Sequence, residues 1–193
     1  MWTPELPTLK VYREWLCVRT CQRLLDLRQR WLHRARGKDY TGNPVLWVGE
    51  VADPDDRQLL LQVAGRVHVQ VQRWFQKTMI EGVFVAGLPV GGYHEPHADN
   101  ARRASGGGWE PNHTPQRSYS ALVYLNSGFG GGELQFMHHR TGRLLTSIRP
   151  TAGMLVAFPS DCQHFHQVTP VTEGIRCSMP VWFTQDASKQ LAM

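Results

Sequence analysis

The sequence predicts a mostly β protein in which N-terminal helices pack on a β core. Apolar residues recur at helical spacing in the first 78 residues, and short β-type segments separated by glycine turns follow them. The chain has 193 residues, of which 41% are hydrophobic, and no long linker divides it. We therefore assign residues 1–193 to a single domain, with a helical support region at 1–78 and a β core at 79–186.

Two helical segments are predicted in the support region. The first covers Leu9–Leu32, as one helix or two in series, because its apolar residues follow a helical period. Gly37–Pro44 then breaks the pattern with Gly, Asn and Pro. The second helix is predicted to begin after Asp53, a favourable N-cap that precedes Pro54, and to run to about Lys77.

The β core is predicted to contain about eight strands and no further long helix. Apolar and β-branched segments there are short, and glycine pairs or triplets punctuate them. The predicted strands are residues 82–90, 93–99, 117–126, 133–138, 144–149, 153–158, 163–171 and 175–184.

The net positive charge is concentrated at the N-terminus. Residues 1–40 contain nine Lys or Arg against four Asp or Glu, whereas the rest contains twelve of each. This segment suits either a nucleic-acid or acidic partner or the solvated face of a helix, and we favour the solvated face because no nucleic-acid motif accompanies it. The sequence shows neither a membrane-length apolar run nor a signal-peptide core, so we expect a cytoplasmic protein without a membrane partner.

Candidate chemistry begins in the segment Tyr93–Asn100. Residues two apart on a strand share a face, so His97 and Asp99 are predicted to point at one position. This pair alone is a weak signal, because three-residue patterns recur by chance.

A second segment adds a further ligand and a cation. His166 lies on a predicted strand that turns at Gly174 and returns with Arg176. Two imidazoles and one carboxylate form a facial triad that leaves coordination positions open on Fe(II), whereas a structural zinc prefers four protein ligands. The planar fork of Arg176 suits a carboxylate. His164, two residues before His166, is the alternative third ligand.

Several segments, in this order, resemble the 2-oxoglutarate-dependent prolyl hydroxylases, most closely the catalytic domain of the leprecan-type prolyl 3-hydroxylases. They are HADN, RSYSALVYLN, FGGGELQF, FPSDCQHFHQV and PVTEGIRCSMPVWFTQD, within residues 82–186. The resemblance implies a double-stranded β-helix, or jelly roll, in which His97, Asp99 and His166 bind Fe(II) and Arg176 binds 2-oxoglutarate. It also implies O₂ as a substrate and ascorbate as an aid in vitro. Only His166, and not His164, keeps the family spacing.

Two further positions in the resemblance concern the cosubstrate pocket. Tyr124 matches a tyrosine that hydrogen-bonds the same carboxylate in related prolyl hydroxylases, and a core tyrosine satisfied by a backbone group is the alternative. Some prolyl 4-hydroxylases have a tyrosine three residues before the first ligand. That position here is His94, which we expect to be solvated in a loop.

The resemblance implies a dioxygenase that hydroxylates an unactivated C–H bond, and a prolyl residue in a peptide or protein is the first choice. A free amino acid or other small metabolite is the main alternative. A nucleic-acid-directed oxygenase and a non-catalytic jelly-roll binding module are further alternatives.

The segment Asn100–Gln116 is predicted to be a mobile lid that the substrate orders. It is 17 residues long, lacks apolar periodicity and adjoins an iron-ligand candidate, and loops of this length in compact domains are functional or disordered. We expect Trp109 to provide an apolar contact to the substrate and Arg102 and Arg103 polar ones. The alternative is a connector with Trp109 on the outer surface.

Overall fold

The computed structural model describes residues 6–39 and 41–192. These residues form two α-helices, α1 (Val18–Trp31) and α2 (Pro54–Trp74). The strands of the first half are β1 (Lys10–Tyr12), β2 (Gly37–Lys38), β3 (Pro44–Trp47), β4 (Met79–Leu88), β5 (His94–His97), β6 (Ala101–Arg103) and β7 (Trp109–Pro111). Those of the second half are β8 (Arg117–Tyr124), β9 (Gly130–Gly131), β10 (Leu134–Met137), β11 (Leu144–Ile148), β12 (Leu155–Pro159), β13 (His166–Val168), β14 (Val171–Glu173) and β15 (Arg176–Thr184).

Two antiparallel sheets face each other. The larger has seven strands in the order β1-β12-β8-β15-β4-β3-β2, and the smaller has four in the order β11-β10-β13-β5. Leu134, Phe136 and Val168 of the smaller sheet pack with Val156 and Phe158 of the larger one in a shared apolar cluster. This arrangement confirms the predicted jelly-roll fold with its helical layer.

The helices cover the other face of the large sheet. Leu24 and Leu27 of α1 and Val67 of α2 are fully buried in a second core, where they meet residues of β4, β8 and β15. The predicted N-cap of α2 is confirmed, because the Asp53 side chain accepts a 2.9 Å hydrogen bond from the backbone N–H of Asp56. Within the described part of the chain, neither helix is long and apolar enough to cross a membrane.

The support region is less helical than predicted. Helix α1 begins at Val18 rather than Leu9, since Lys10–Tyr12 is an edge strand that pairs with β12. The predicted break also contains β2 and the start of β3, which extends the sheet beside β4. Short apolar runs fit helical and strand periods equally well, and sheet pairing decided between them here.

Three predicted boundaries in the β core are also corrected. The predicted strand 163–171 is divided into a short helical turn, Cys162–His164, and the separate strands β13 and β14. Asp99 lies two residues beyond the end of β5 rather than within it. The predicted irregular loop after Asp99 contains the β6–β7 hairpin, whose register pairs Ala101 with Pro111 and Arg103 with Trp109.

Candidate metal and cosubstrate site

Three potential metal ligands converge between the two sheets. His97 ends β5 and His166 begins β13, and the two residues are direct cross-strand partners. Their ring centroids lie 4.3 Å apart, and His97 Nε2 lies 3.7 Å from Asp99 Oδ1. The potential ligand atoms of all three residues lie within 4.8 Å of one another. One ion can therefore contact all three side chains.

Backbone carbonyls fix the tautomer of both imidazoles. His97 Nδ1 donates to the carbonyl of Glu95 at 2.7 Å, and His166 Nδ1 donates to the carbonyl of His164 at 2.8 Å. A carbonyl only accepts, so each Nδ1 carries a proton, and a neutral ring then presents the lone pair of Nε2. Burial lowers the pKa of His166 to about 3, and the neighbouring His97 adds to this effect. His166 is therefore neutral near pH 7, which is the form that binds metals.

A serine pair holds the Asp99 carboxylate. Ser120 Oγ donates to Asp99 Oδ2 at 2.5 Å and lies 2.9 Å from Ser160 Oγ. Burial alone would raise the pKa of Asp99, but the neighbouring His166 and His97 rings, the Arg117 guanidinium and the Ser120 hydrogen bond outweigh it and keep this pKa below its usual value. Asp99 is therefore an ionised carboxylate, with Oδ2 hydrogen-bonded to Ser120 and Oδ1 nearest to His97.

His164, the alternative third ligand, has both ring nitrogens engaged elsewhere. Its Nδ1 lies 2.7 Å from Asp161 Oδ1, and its Nε2 lies 2.8 Å from Thr8 Oγ1. The ring packs in the helical turn before β13, and only its backbone carbonyl reaches His166. This geometry favours His166 as the third ligand candidate, and His164 supports it through the backbone.

Arg176 is a buried cation with no carboxylate partner among the described residues. It is only 3% exposed. Its Nε donates to the Gly132 carbonyl at 3.0 Å, and its Nη2 donates to the Tyr124 hydroxyl at 3.1 Å. A buried charge without a counter-ion is strongly unfavourable, so the position suits an anionic ligand.

Tyr124 is fully buried beside Arg176, and the predicted alternative of a backbone partner is replaced by a side-chain one, because its hydroxyl contacts the Arg176 guanidinium. Burial raises the pKa of the Tyr124 phenol, although Arg176 opposes the shift. The phenol therefore stays protonated, and its oxygen accepts from Arg176 while its O–H can donate to a second group. A carboxylate held by Arg176 is such a group.

These residues lie along one large cavity with a volume of about 1050 Å³. Its lining includes the His97, Asp99 and His166 cluster and Arg176, and it continues to a wall formed by Trp47 and the residues around it. The cavity therefore joins the polar side chains of the cluster and Arg176 to an aromatic wall formed by Trp47, Phe84 and Trp182.

Sequence reasoning missed several residues of this cavity. Arg117 is 7% exposed, its Nε lies 3.4 Å from Glu81 Oε2, and its guanidinium carbon lies 3.4 Å from the centroid of the Trp182 ring. Arg117 could have been noticed, because it begins the strand that carries Tyr124, and strand alternation already places Ser120 on the face that Tyr124 shares. No local pattern identifies Glu81 or Trp182.

The β6–β7 hairpin lies at the cavity and contacts its wall. Trp109 packs edge-on against Phe165 at a centroid distance of 5.3 Å, and the Arg103 guanidinium lies over both rings at 4.9 and 5.4 Å. Arg103 Nη2 also donates to the His139 carbonyl at 2.6 Å. Arg102 instead forms an exposed ion pair with Glu110. Trp109 therefore faces the cavity wall and not the outer surface.

Two side chains tie the hairpin to the metal-ligand candidate Asp99. Asn112 Nδ2 and Thr114 Oγ1 donate to the Asp99 carbonyl at 3.1 and 2.9 Å.

The position of His94 differs from the predicted solvated loop. His94 lies on β5 and is partly buried, with its Nε2 3.4 Å from Asp39 Oδ2. Burial alone would raise the pKa of Asp39, but hydrogen bonds from His94 and Thr41 lower it to about 2. Asp39 is thus an ionised hydrogen-bond partner of His94 at the cavity rim.

The β core of the chain matches a known protein family. The family model described as the 2OG-Fe(II) oxygenase superfamily matches residues 83–184. Prolyl 3-hydroxylase 3 of Mus musculus is 34% identical over 154 residues, which are 71% of this chain and 21% of that protein. The chain thus spans about a fifth of the length of this curated relative.

Two solved structures show the same fold at low sequence identity. A Pseudomonas putida prolyl-4-hydroxylase superposes with a TM-score of 0.70 at 21% identity, covering 93% of this chain and 94% of that one. A Trichoplax adhaerens prolyl hydroxylase, in complex with a peptide fragment of a hypoxia inducible factor, gives 0.70 at 20% identity, covering 95% and 86%.

Proposed function

Because this chain belongs to the 2OG-Fe(II) oxygenase superfamily, we propose that it hydroxylates a prolyl residue within a peptide or protein. Members of the family are oxygenases that use Fe(II), 2-oxoglutarate and O₂. The observation that carries the substrate proposal is the cavity, which continues past the metal-ligand candidates along an aromatic wall. Its volume of about 1050 Å³ lies just above the range of small-molecule sites, which span about 300–1,000 Å³.

In this proposal His97, Asp99 and His166 hold the iron. Two neutral imidazole nitrogens and one carboxylate oxygen fit Fe(II), because this donor set leaves coordination positions for a 2-oxo acid and O₂. When bound, the metal and cosubstrate supply the oxidation of an unactivated C–H bond, which no side chain performs alone. The protein contributes the fixed tautomers of both histidines and the Ser120 bond that orients Asp99.

Arg176 and Tyr124 are proposed to bind the distal carboxylate of 2-oxoglutarate. The guanidinium has only neutral partners among the described residues, so an incoming carboxylate would supply its missing counter-ion. The Tyr124 hydroxyl, which accepts from Arg176, can donate its proton to the same carboxylate. Because both groups are buried, solvent weakens their attraction to an anion less than it would at an exposed site.

Arg117 and Trp182 are proposed to position the substrate beside the metal. Trp182 is the cross-strand partner of Ser120, whose hydroxyl contacts Asp99. The Arg117 guanidinium is fixed against the Trp182 ring and Glu81, so it presents an oriented donor next to an apolar surface. A prolyl residue matches this pair, because it has an apolar ring and a backbone carbonyl that accepts hydrogen bonds.

Helix α1 of the basic N-terminal segment contributes no residue to the cavity lining, although Lys38 of the same segment does. Helix α1 packs on the opposite face of the large sheet, where its apolar side joins the core formed with α2. Arg30 pairs with Asp56 at 2.7 Å, and Arg34 lies over the Trp31 ring. Its position therefore supports the solvated-face interpretation and gives no support to a nucleic-acid substrate.

A succinate-release screen with Fe(II), ascorbate and 2-oxoglutarate tests the proposal. The panel contains proline-containing peptides, the same peptides with alanine in place of proline, free amino acids and oligonucleotides. We expect proline-dependent succinate release, together with a mass increase of one oxygen atom on the prolyl residue. Stimulation by free proline alone, or by oligonucleotides alone, would contradict a peptide substrate.

A further inference from the structure

We propose that Trp47 and Phe84 form a second substrate subsite, which holds an apolar side chain about three residues from the hydroxylated residue. The inference rests on the proposed peptide substrate and deepens it. Both residues line the same cavity as the metal-ligand candidates, although they come from β3 and β4 rather than from the strands that carry those candidates.

The aromatic wall is an apolar cluster separate from the two main cores. Its rings lie close together, with centroid distances of 4.8 Å for Trp47–Phe84, 4.7 Å for Phe84–Trp182 and 5.8 Å for Trp47–Trp182. Phe84 is packed with Val45, while Trp47 and Trp182 remain half-buried. Among the described residues, no apolar side chain of the four-stranded sheet joins this cluster. The rings therefore form a cavity wall that is open to a ligand.

Glycines on both neighbouring strands make room for Trp47. A Cβ added at Gly37 would lie 2.5 Å from Trp47 Nε1, and one added at Gly82 would lie 3.1 Å from Trp47 Cζ3. Larger residues at these positions would displace the ring. The two glycines thus allow the Trp47 indole to lie over Gly82, directly beside Trp182.

The strand register gives the distance between this subsite and the metal-ligand candidates. Ser120, Trp182 and Gly82 are successive cross-strand partners on β8, β15 and β4. Two strand spacings of about 4.8 Å separate Ser120 from Gly82 by about 10 Å, which is about three residues of extended chain. Since Ser120 bonds Asp99, a ligand that spans both regions has the length of a peptide and not of a free amino acid.

The charges around the wall favour an apolar occupant. Glu81 is paired with Arg117 and also accepts from Gln116 at 2.8 Å, while Asp39 is paired with His94. The Arg117 guanidinium that already stacks on Trp182 would repel a cationic side chain at the rings. An apolar side chain gains burial against the rings without breaking a polar contact.

A position-scanning peptide series tests this subsite. Each position within five residues of the target proline is replaced in turn by Leu, Lys, Glu or Gly, and kcat/KM is measured for each peptide. We expect the wild-type protein to prefer Leu over Gly at one position by about tenfold or more, the effect of burying one apolar side chain. Trp47→Ala should reduce the ratio of kcat/KM for the Leu peptide to that for the Gly peptide to about one at this position, and the ratios at other positions should stay unchanged. Binding of labelled peptides without O₂, measured by fluorescence anisotropy, should show the same selective loss.

Two variants keep the test independent of folding. Trp47→Leu retains apolar volume at the site and should keep part of the preference if Trp47→Ala does not fold, as judged by thermal unfolding. Trp15→Leu alters a half-buried tryptophan packed on the helix side of the sheet and should leave the preference unchanged.

The outcomes separate this inference from the proposed function. If peptides are hydroxylated and the position preference is the same in wild type and Trp47→Ala, the subsite is wrong while the peptide substrate stands. A preference for Lys or Glu at the Trp47-dependent position would overturn the apolar occupant. If no peptide is hydroxylated while 2-oxoglutarate is turned over with a free amino acid, the peptide substrate fails, and the subsite with it.

Discussion

The two ends of the cavity are built in different ways. At the metal end, His97 and His166 are each oriented by a carbonyl two residues away in sequence. At the aromatic end, Trp47, Arg117 and Trp182 come from three strands that lie far apart in the chain and meet only through packing. The difference indicates that the orientation of each histidine is encoded locally, although pairing of β5 with β13 brings the two together, whereas the surface for a substrate depends on the whole sheet.

The largest expected effect lies at the metal end. Replacing His97, Asp99 or His166 by alanine removes one of three candidate ligands, so each variant should lose Fe(II)-dependent succinate formation altogether. Iron content after reconstitution, measured by a colorimetric chelator assay, should fall in parallel.

His164→Ala is the matched control for the ligand variants, and it should keep part of the activity. His164 holds His166 through its backbone carbonyl, which the substitution retains. If His164→Ala lost iron while His166→Ala kept it, the assignment of the third ligand would be wrong.

The second expected effect concerns the cosubstrate. Arg176→Ala would leave the bound carboxylate buried without its partner, a loss on the order of 3–5 kcal/mol. The apparent KM for 2-oxoglutarate should therefore rise by about 100-fold or more, with little change in iron affinity. Arg176→Lys keeps the charge without the fork and should be intermediate, and Tyr124→Phe should give a smaller rise. An unchanged KM in Tyr124→Phe would make Tyr124 a core residue only.

The sequence identified the three side chains that the structure brings together at the metal end, because its signals are short motifs. The HxD pair spans three residues, Arg176 follows His166 by ten residues, and the tyrosine lies within the VYLN segment. The N-cap of α2 at Asp53 was equally local, and the structure has it. The position of Asp99 was predicted from strand alternation, but Asp99 lies beyond the end of β5 and reaches the cluster from there.

The edge strand, the hairpin and the aromatic wall could not be predicted from the sequence, because their structure depends on contacts with distant parts of the chain. Lys10–Tyr12 has an apolar pattern that extends the helix prediction, yet β12 offers it an edge to pair with. The β6–β7 hairpin has no apolar period of its own and is held by side-chain bonds from Asn112 and Thr114. Trp47 follows the predicted break at Gly37–Pro44, in a stretch where no element was predicted, and its position depends on glycines in two other strands.

The third expected effect tests how rigid the metal end must be. Ser120→Ala removes the hydroxyl that donates to Asp99 Oδ2 without touching a ligand atom. Loss of such a supporting bond costs about 10–100-fold in metal affinity or activity, so Fe(II) titration should show weaker binding. Ser147→Ala is a control, because it removes another serine–carboxylate bond on an exposed strand far from the cavity. Equal effects of both substitutions would mean that Ser120 acts only on stability.

The fourth expected effect tests the hairpin as a lid. Replacing residues 104–112 with a short Gly/Ser bridge removes Trp109 and its contact with Phe165. We expect product hydroxylation to fall much more than the slow turnover of 2-oxoglutarate without substrate, because a lid positions substrate and excludes water. The ratio of hydroxylated product to succinate measures this uncoupling. Equal loss of both activities would indicate that the segment supports the fold, since Asn112 also bonds the Asp99 carbonyl.

The smallest expected effect lies outside the cavity, at the basic helix. Replacing Arg23, Arg30 and Arg34 by Gln removes three positive charges from a face that lies across the sheet from the metal end. The pair of Arg30 with Asp56 is largely exposed on the arginine side, and such surface pairs contribute about 0.2–1 kcal/mol. A slightly lower unfolding temperature is therefore expected, with kcat/KM and its salt dependence unchanged. A substrate KM that rises with salt in the wild type and becomes insensitive to salt in the variant would instead show that an acidic substrate or a nucleic acid binds this face.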